Sequence, residues 1–254
     1  MKIVLAAFTM LMSCAAHAQD ILILGEVHDN PIHHAVQAEK VAGLQPAALV
    51  FEMLTAEQAD GEVLENVADG AALDARFAWA ERGWPDFAMY HPIFLAAPEA
   101  RIYGAGLPRA AVMQAMQGSI ADAFGDSASA YGLDEPLGAE EQAAREEMQF
   151  AAHCDALPRE QLPGMVEIQR LRDAMLARAA LRAFDETGGP VAVITGNGHA
   201  RRDWGVPVYS DRIAPALVVK VVGQTEDDRP LKGGFDLVVS APAVDRPDPC
   251  DAFR

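Results

Sequence analysis

Ile21-Leu22-Ile23-Leu24-Gly25-Glu26-Val27-His28 near the start of the chain and Val191-Ala192-Val193-Ile194-Thr195-Gly196-Asn197-Gly198-His199 near its end share one design. Each is a short apolar run, the length of a strand buried on both faces, that breaks at a glycine and presents a histidine three residues later. In a parallel sheet covered by helices, ligands sit outside the carboxyl ends of the strands. Two such turns on neighbouring strands would bring His28 and His199 together although the chain separates them widely. A histidine pair with carboxylates beside it can bind a metal or haem, or carry acid–base chemistry. Either word alone is also what a tight turn with a surface histidine looks like; the matched pair points to a site.

Working outward, Pro31-Ile32-His33-His34 opens a helix to about Leu44, with proline suited to the first turn. Residues 47–51 read as a second buried strand ending at Glu52, and Thr55 as the N-cap of a helix beginning Ala56-Glu57-Gln58. The stretch 71–100 reads as helical and aromatic, and 100–103 as a strand leading into Gly104-Ala105-Gly106-Leu107-Pro108-Arg109 and another helix. Residues 118–138 read as irregular, 139–154 and 161–187 as long helices, and 216–222 and 235–240 as late strands. This alternation predicts an α/β fold: a mostly parallel central sheet with helices on both faces and a helical insertion. The expected organisation is one domain over 19–245 with helical insertions at about 55–100 and 110–187, then a Pro/Asp-rich tail at 246–254.

The chain has 254 residues, 51% hydrophobic and 22% charged, as a globular domain has. A formal net charge of −17 argues against a nucleic-acid partner. Residues 1–18 read as a cleaved signal peptide: Met1-Lys2, an apolar run, then Ala16-His17-Ala18. Leu11-Met12-Ser13-Cys14 offers a competing lipobox, so the expected location is exported, either periplasmic or lipid-anchored through Cys14 to the outer membrane. Cleavage leaves Cys154 and Cys250, either disulfide-bonded or as two free thiols. The oligomeric state is not readable from the sequence.

The strand ends carry the candidate chemistry. Glu26 can act as a base or orient a histidine, whereas Asn197, at the matching place, can only hydrogen-bond. Glu52 ends a buried strand and needs a partner, which His28, His199 or Arg109 could supply. Arg109 could clamp a carboxylate, propionate or phosphate. Gln169, Arg172 and Asp173 share a helix face, a pattern usual for solvated groups, and Arg201-Arg202 could make the second turn an anion site. Tyr90, Tyr103, Tyr131 and Tyr209 could ligate ferric haem or simply pack. The chain lacks Gly-x-Ser-x-Gly, P-loop and His-Glu-x-x-His words and a full Rossmann fingerprint.

Taken in order, Gly25-Glu26-Val27-His28-Asp29-Asn30-Pro31 with His33-His34, Phe51-Glu52-Met53, Trp84-Pro85 with Tyr90, Leu107-Pro108-Arg109, His153-Cys154, Gln169 with Arg172-Asp173, and Gly196-Asn197-Gly198-His199-Ala200-Arg201-Arg202-Asp203 resemble the ChaN-like family. That family belongs to the haem-binding uptake/Tiki superfamily, with erythromycin-esterase-like and TraB proteins. The resemblance implies an exported bacterial protein of haem or iron acquisition, binding haem or an iron complex, with an outer-membrane uptake receptor as a partner. Carried onto this chain, the implied site is Glu26, His28, Glu52, Arg109, Asn197 and His199, and the candidate cofactor contacts are His28, Arg109, Asn197 and His199, with Tyr90 added from the aromatic stretch. The resemblance also implies tyrosine ligation, without indicating which tyrosine. Gly106 stands where the family pattern leads one to expect asparagine. The alternative implied by the relatives is a metal-dependent hydrolase: His28, Glu52 and His199 would hold zinc or iron, and Glu26, His28, Glu52 and His199 would be catalytic.

Overall fold

The computed structural model describes residues 19–248 and 250–251. The signal-peptide reading, and with it Cys14, lies outside these residues. Seven strands, β1 (Ile21–Leu24), β2 (Ala48–Phe51), β3 (Asp60–Val63), β4 (Arg101–Gly104), β5 (Val191–Ile194), β6 (Val219–Glu226) and β7 (Leu237–Ala241), form one sheet in the order β3-β4-β2-β5-β1-β6-β7. Every pairing is parallel except β3 with β4. The predicted mixed α/β architecture is therefore present.

Strand alternation sorts the apolar residues onto two cores. Ile21 and Ile23 face one side with Val50 and Val193, where α7 (Leu162–Thr187) and α9 (Val206–Ile213) lie. Buried Ala174, Ala177, Ala180 and Ala183 let α7 approach the strands closely. Leu22 and Leu24 face the other side with Phe51 and Ile194. There α1 (Pro31–Leu44) packs with α2 (Gly70–Phe77), α3 (Phe87–Ala96) and the connection between the last two, which bring Phe77, Tyr90, Phe94 and Trp79. Phe51 stacks on Phe94 with ring centroids 4.5 Å apart.

Three local expectations change. No helix begins at Ala56: Gln58 folds back to accept from the backbone N–H and hydroxyl of Thr55, and the chain turns into antiparallel edge strand β3. The stretch 118–138 contains α5 (Ile120–Phe124), capped by Ser119 accepting from the Asp122 amide. Strand β6 runs on to Glu226 because its polar end is satisfied: the Gln224 amide donates to the Gly25 and His33 carbonyls, and Glu226 pairs with Arg246. The remaining helices are α4 (Arg109–Gln117), α6 (Ala139–Ala152) and the one-turn α8 (Asn197–Ala200). Of the two cysteine alternatives, the disulfide is the one formed: Cys154 and Cys250 are bonded, tying the tail to the turn after α6. Among the described residues no helix is long and apolar enough to cross a membrane.

Candidate functional site

Strand β5 lies between β1 and β2, with Ile21 and Ala48 both opposite Val191. The loops that leave these three strands at their carboxyl ends therefore meet, and they carry Glu26/His28, Glu52 and Gly196/His199. The carboxylate of Glu26 is fully buried. One oxygen accepts from the Tyr90 hydroxyl and bonds His28 Nδ1, both at 2.7 Å. The other accepts from the Gln37 amide at 2.6 Å and lies 3.4 Å from His34 Nδ1. Burial opposes this charge, but the bonds from His28 and His34 prevail and hold the Glu26 carboxyl at about 2. Burial likewise opposes protonation of His28, and the bond to Glu26 outweighs it, so the imidazole pKa is raised.

The second half mirrors the first. His199 Nδ1 bonds Asp173 at 2.6 Å, and its Nε2 lies 3.5 Å from Glu52. Glu52 accepts from the Gly196 amide at 2.8 Å and the Thr195 hydroxyl at 2.7 Å. Burial disfavours the His199 cation, yet Glu52 and Asp173 together raise its pKa to about 9. Gly196 has to be glycine: a Cβ there would stand 2.9 Å from His28 Nε2 and 3.7 Å from Glu52.

These groups line one cavity of about 350 Å³, walled by Trp84, Trp204, Met148 and Val166 and carrying Arg145 and Arg172. Trp84 lies 5.0 Å from the His28 ring. Trp204 is covered by Arg145 and Arg201, 5.0 and 3.8 Å from its ring centre. The mixture of indoles, a thioether, imidazoles and guanidinium groups suits a flat amphipathic ligand with acidic substituents.

The structure brings Glu26, His28, Glu52 and His199 together, and places the other named residues elsewhere. Arg109 is exposed at the start of α4 and does not line the cavity. Asn197 turns away, its amide exchanging two hydrogen bonds with the Gln224 backbone and so extending the edge of β6. Arg201 and Arg202 pair with Asp203 and Asp236, leaving no anion site in that turn. His33 and His34 are fully buried and bonded to backbone groups. Tyr90 is fully buried beneath Glu26 rather than facing the cavity, and burial drives its pKa far up. Tyr103, Tyr131 and Tyr209 are also buried with raised pKa values, so none of the four presents a ready phenolate. Among the described residues no group of three or more His, Cys, Asp and Glu side chains is arranged to hold a metal ion, and His28, Glu52 and His199 are no exception. The glycine at 106 also has a cause: a Cβ there would stand 2.5 Å from the Glu52 carbonyl.

Sequence reasoning missed the α6–α7 wall: Arg145, Met148 and Val166, with Trp204 beside them. It also took Asp173 for a solvated residue, although this carboxylate is buried and orients His199. The available signal was the company Asp173 keeps: Leu171, Ala174 and Ala177 mark that helix face as buried.

Comparison with known proteins adds family and fold. ChaN of Campylobacter jejuni, solved with cofacially bound haem, superposes with a TM-score of 0.59 at 17% identity, covering 84% of each chain. The type III effector HopBA1 aligns over 88% of each chain at 13% identity, with a TM-score of 0.47. No curated protein matches the sequence. The family model described as haem-binding uptake, Tiki superfamily, ChaN matches residues 12–209. Over most of its length, then, the chain carries the pattern of that haem-binding group, and it belongs to the ChaN family of the Tiki superfamily.

Proposed function

We propose that this protein binds haem in the His28–His199 cavity, as an exported component of haem or iron acquisition that exchanges haem with an outer-membrane uptake receptor. The observation that carries the reading is His28 itself. Its side chain is 34% exposed beside the cavity, against 9% for His199, and Glu26 holds its Nδ1. A carboxylate on one ring nitrogen fixes the ring and makes the other a better ligand. Trp84 and Trp204 offer the apolar faces a porphyrin needs. Export is supported by the signal-like first eighteen residues and by the Cys154–Cys250 disulfide, which belongs in an oxidising compartment.

Phenolate ligation does not fit this chain, since all four tyrosines are buried. Imidazole contact at His28 is the alternative the side chains allow. Titrating the protein with haemin should give a saturable Soret shift. His28→Ala should weaken binding at least about tenfold, the scale of one lost ligand or its support, while Tyr90→Phe should leave the Soret position unchanged. A shift that survives H28A and disappears in Y90F overturns the assignment.

A second reading rests on a separate observation: two imidazoles, each oriented by its own carboxylate, line the same cavity as Glu52. Such an arrangement can activate a water toward an ester or amide. Haem-free protein should then turn over a chromogenic ester, with or without added zinc, and His199→Asn should lower the rate by about 10²–10⁴, as expected for loss of a general base or acid. Turnover indifferent to H199N dismisses this reading.

A further inference from the structure

Arg172 projects from α7 at the junction of three recesses: the main cavity, an apolar groove lined by Met116, Leu157 and Met165, and a small recess beside Glu52. The small recess holds about 60 Å³ and is shared with Arg82, Trp84, Leu107 and Leu176. Among the described residues no carboxylate or carbonyl lies within hydrogen-bond or ion-pair distance of either guanidinium, in a chain whose formal net charge is −17. The contrast with the other cavity arginine is direct: Arg145 is engaged by Glu141 through two nitrogens. Glu52 also lines the recess but pairs with neither arginine: one of its oxygens accepts from Thr195 and Gly196, and the other lies 3.5 Å from His199.

We propose that Arg172 and Arg82 form a carboxylate-binding recess that fixes one acidic substituent of the ligand, while the rest of the ligand lies against Trp84 in the main cavity. The volume is that of roughly two waters, which suits a carboxylate. The planar guanidinium fork matches that group in two-point contact, and apolar Leu107 and Leu176 line the recess beside it. The inference deepens the haem reading and rests on it: the carboxylate is a propionate of the porphyrin. It also moves the anion contact away from Arg109, which lies outside the cavity.

The test compares haemin with its dimethyl ester, which keeps the macrocycle and iron but lacks both charges. Soret titrations of the full chain use wild type, Arg172→Gln and Arg82→Gln, with melting curves to confirm folding. Wild type should bind haemin about tenfold more tightly than the ester, the usual scale of one charge-assisted contact, and each variant should shrink that preference. Arg82 is exposed, so R82Q keeps the test sound even where R172Q perturbs its neighbour Asp173. Equal binding of both porphyrins by wild type overturns the recess and leaves haem binding standing. An equal loss for both porphyrins in the variants overturns it too. If wild type binds neither, the haem reading itself falls and the recess falls with it.

Discussion

Replacing Glu26 with alanine should cost about 3–5 kcal/mol of stability, the scale of stranding the partners of a buried charge. Four groups converge on this carboxylate: the Tyr90 hydroxyl, the Gln37 amide and the rings of His28 and His34. Tyr90, Gln37 and His34 are fully buried, so bulk solvent does not reach them to replace the lost acceptor. A domain with about 5–15 kcal/mol in total would lose much of its margin. Glutamine keeps the shape and one carbonyl acceptor but sets its own amide against incoming donors. E26Q should therefore cost about 1–3 kcal/mol, the range for an unsatisfied buried group. Urea denaturation reads both, with an unchanged slope showing that the folded state is otherwise intact. A loss below about 1 kcal/mol for E26A would mean that solvent reaches this network and that His28 is not held from beneath. The same variant should bind haemin no better than H28A, because His28 loses its anchor.

The central strands were legible because their physics is local. Ile21–Leu24, Ala48–Phe51 and Val191–Ile194 are apolar on both faces, as strands of a parallel sheet covered on both sides are. Once those strands are adjacent, Glu26, His28, Glu52 and His199 have to meet, since each sits within a few residues of a strand end. Edge strand β3 was not legible, because Asp-Gly-Glu-Val has no alternation and pairs only through tertiary context. Helix-borne residues were hardest to place. Asp173 and Arg172 are adjacent on α7, yet one is sealed against His199 and the other stands at the mouth of three recesses. The apolar neighbours of Asp173 hint at its burial, but which groups Arg172 meets depends on tertiary packing. Tyr90 was misplaced for a related reason. It was a candidate cofactor contact, whereas the ring lies in the core against Trp79 and His34, with its hydroxyl turned to Glu26.

Stability should be greatest between about pH 4.5 and 6.5 and fall on both sides, for two different residues. Glu26 titrates at about 2 when folded against 4.5 unfolded, so its contribution is complete above pH 4.5 and drains away as pH falls toward 2. Glu52, whose pKa is also lowered, acts in the same direction. Asp173 acts against them: burial raises its carboxyl, so acid relieves this group and softens the acid limb. On the alkaline side His199 governs. Its pKa is about 9 folded and 6.5 unfolded, so its contribution is complete below pH 6.5 and is lost as pH rises to 9. His28 and His34, both raised, add to this limb in the same sense. A difference of that size corresponds to about 3 kcal/mol for His199 alone. Denaturation midpoints across pH 5 to 10 should show that decline in wild type and lose most of it in His199→Asn, which cannot take the proton. A wild-type profile flat from pH 6.5 to 9 would mean that His199 enters the folded state uncharged. The Asp173 and Glu52 carboxylates would then have to face each other without a cation between them.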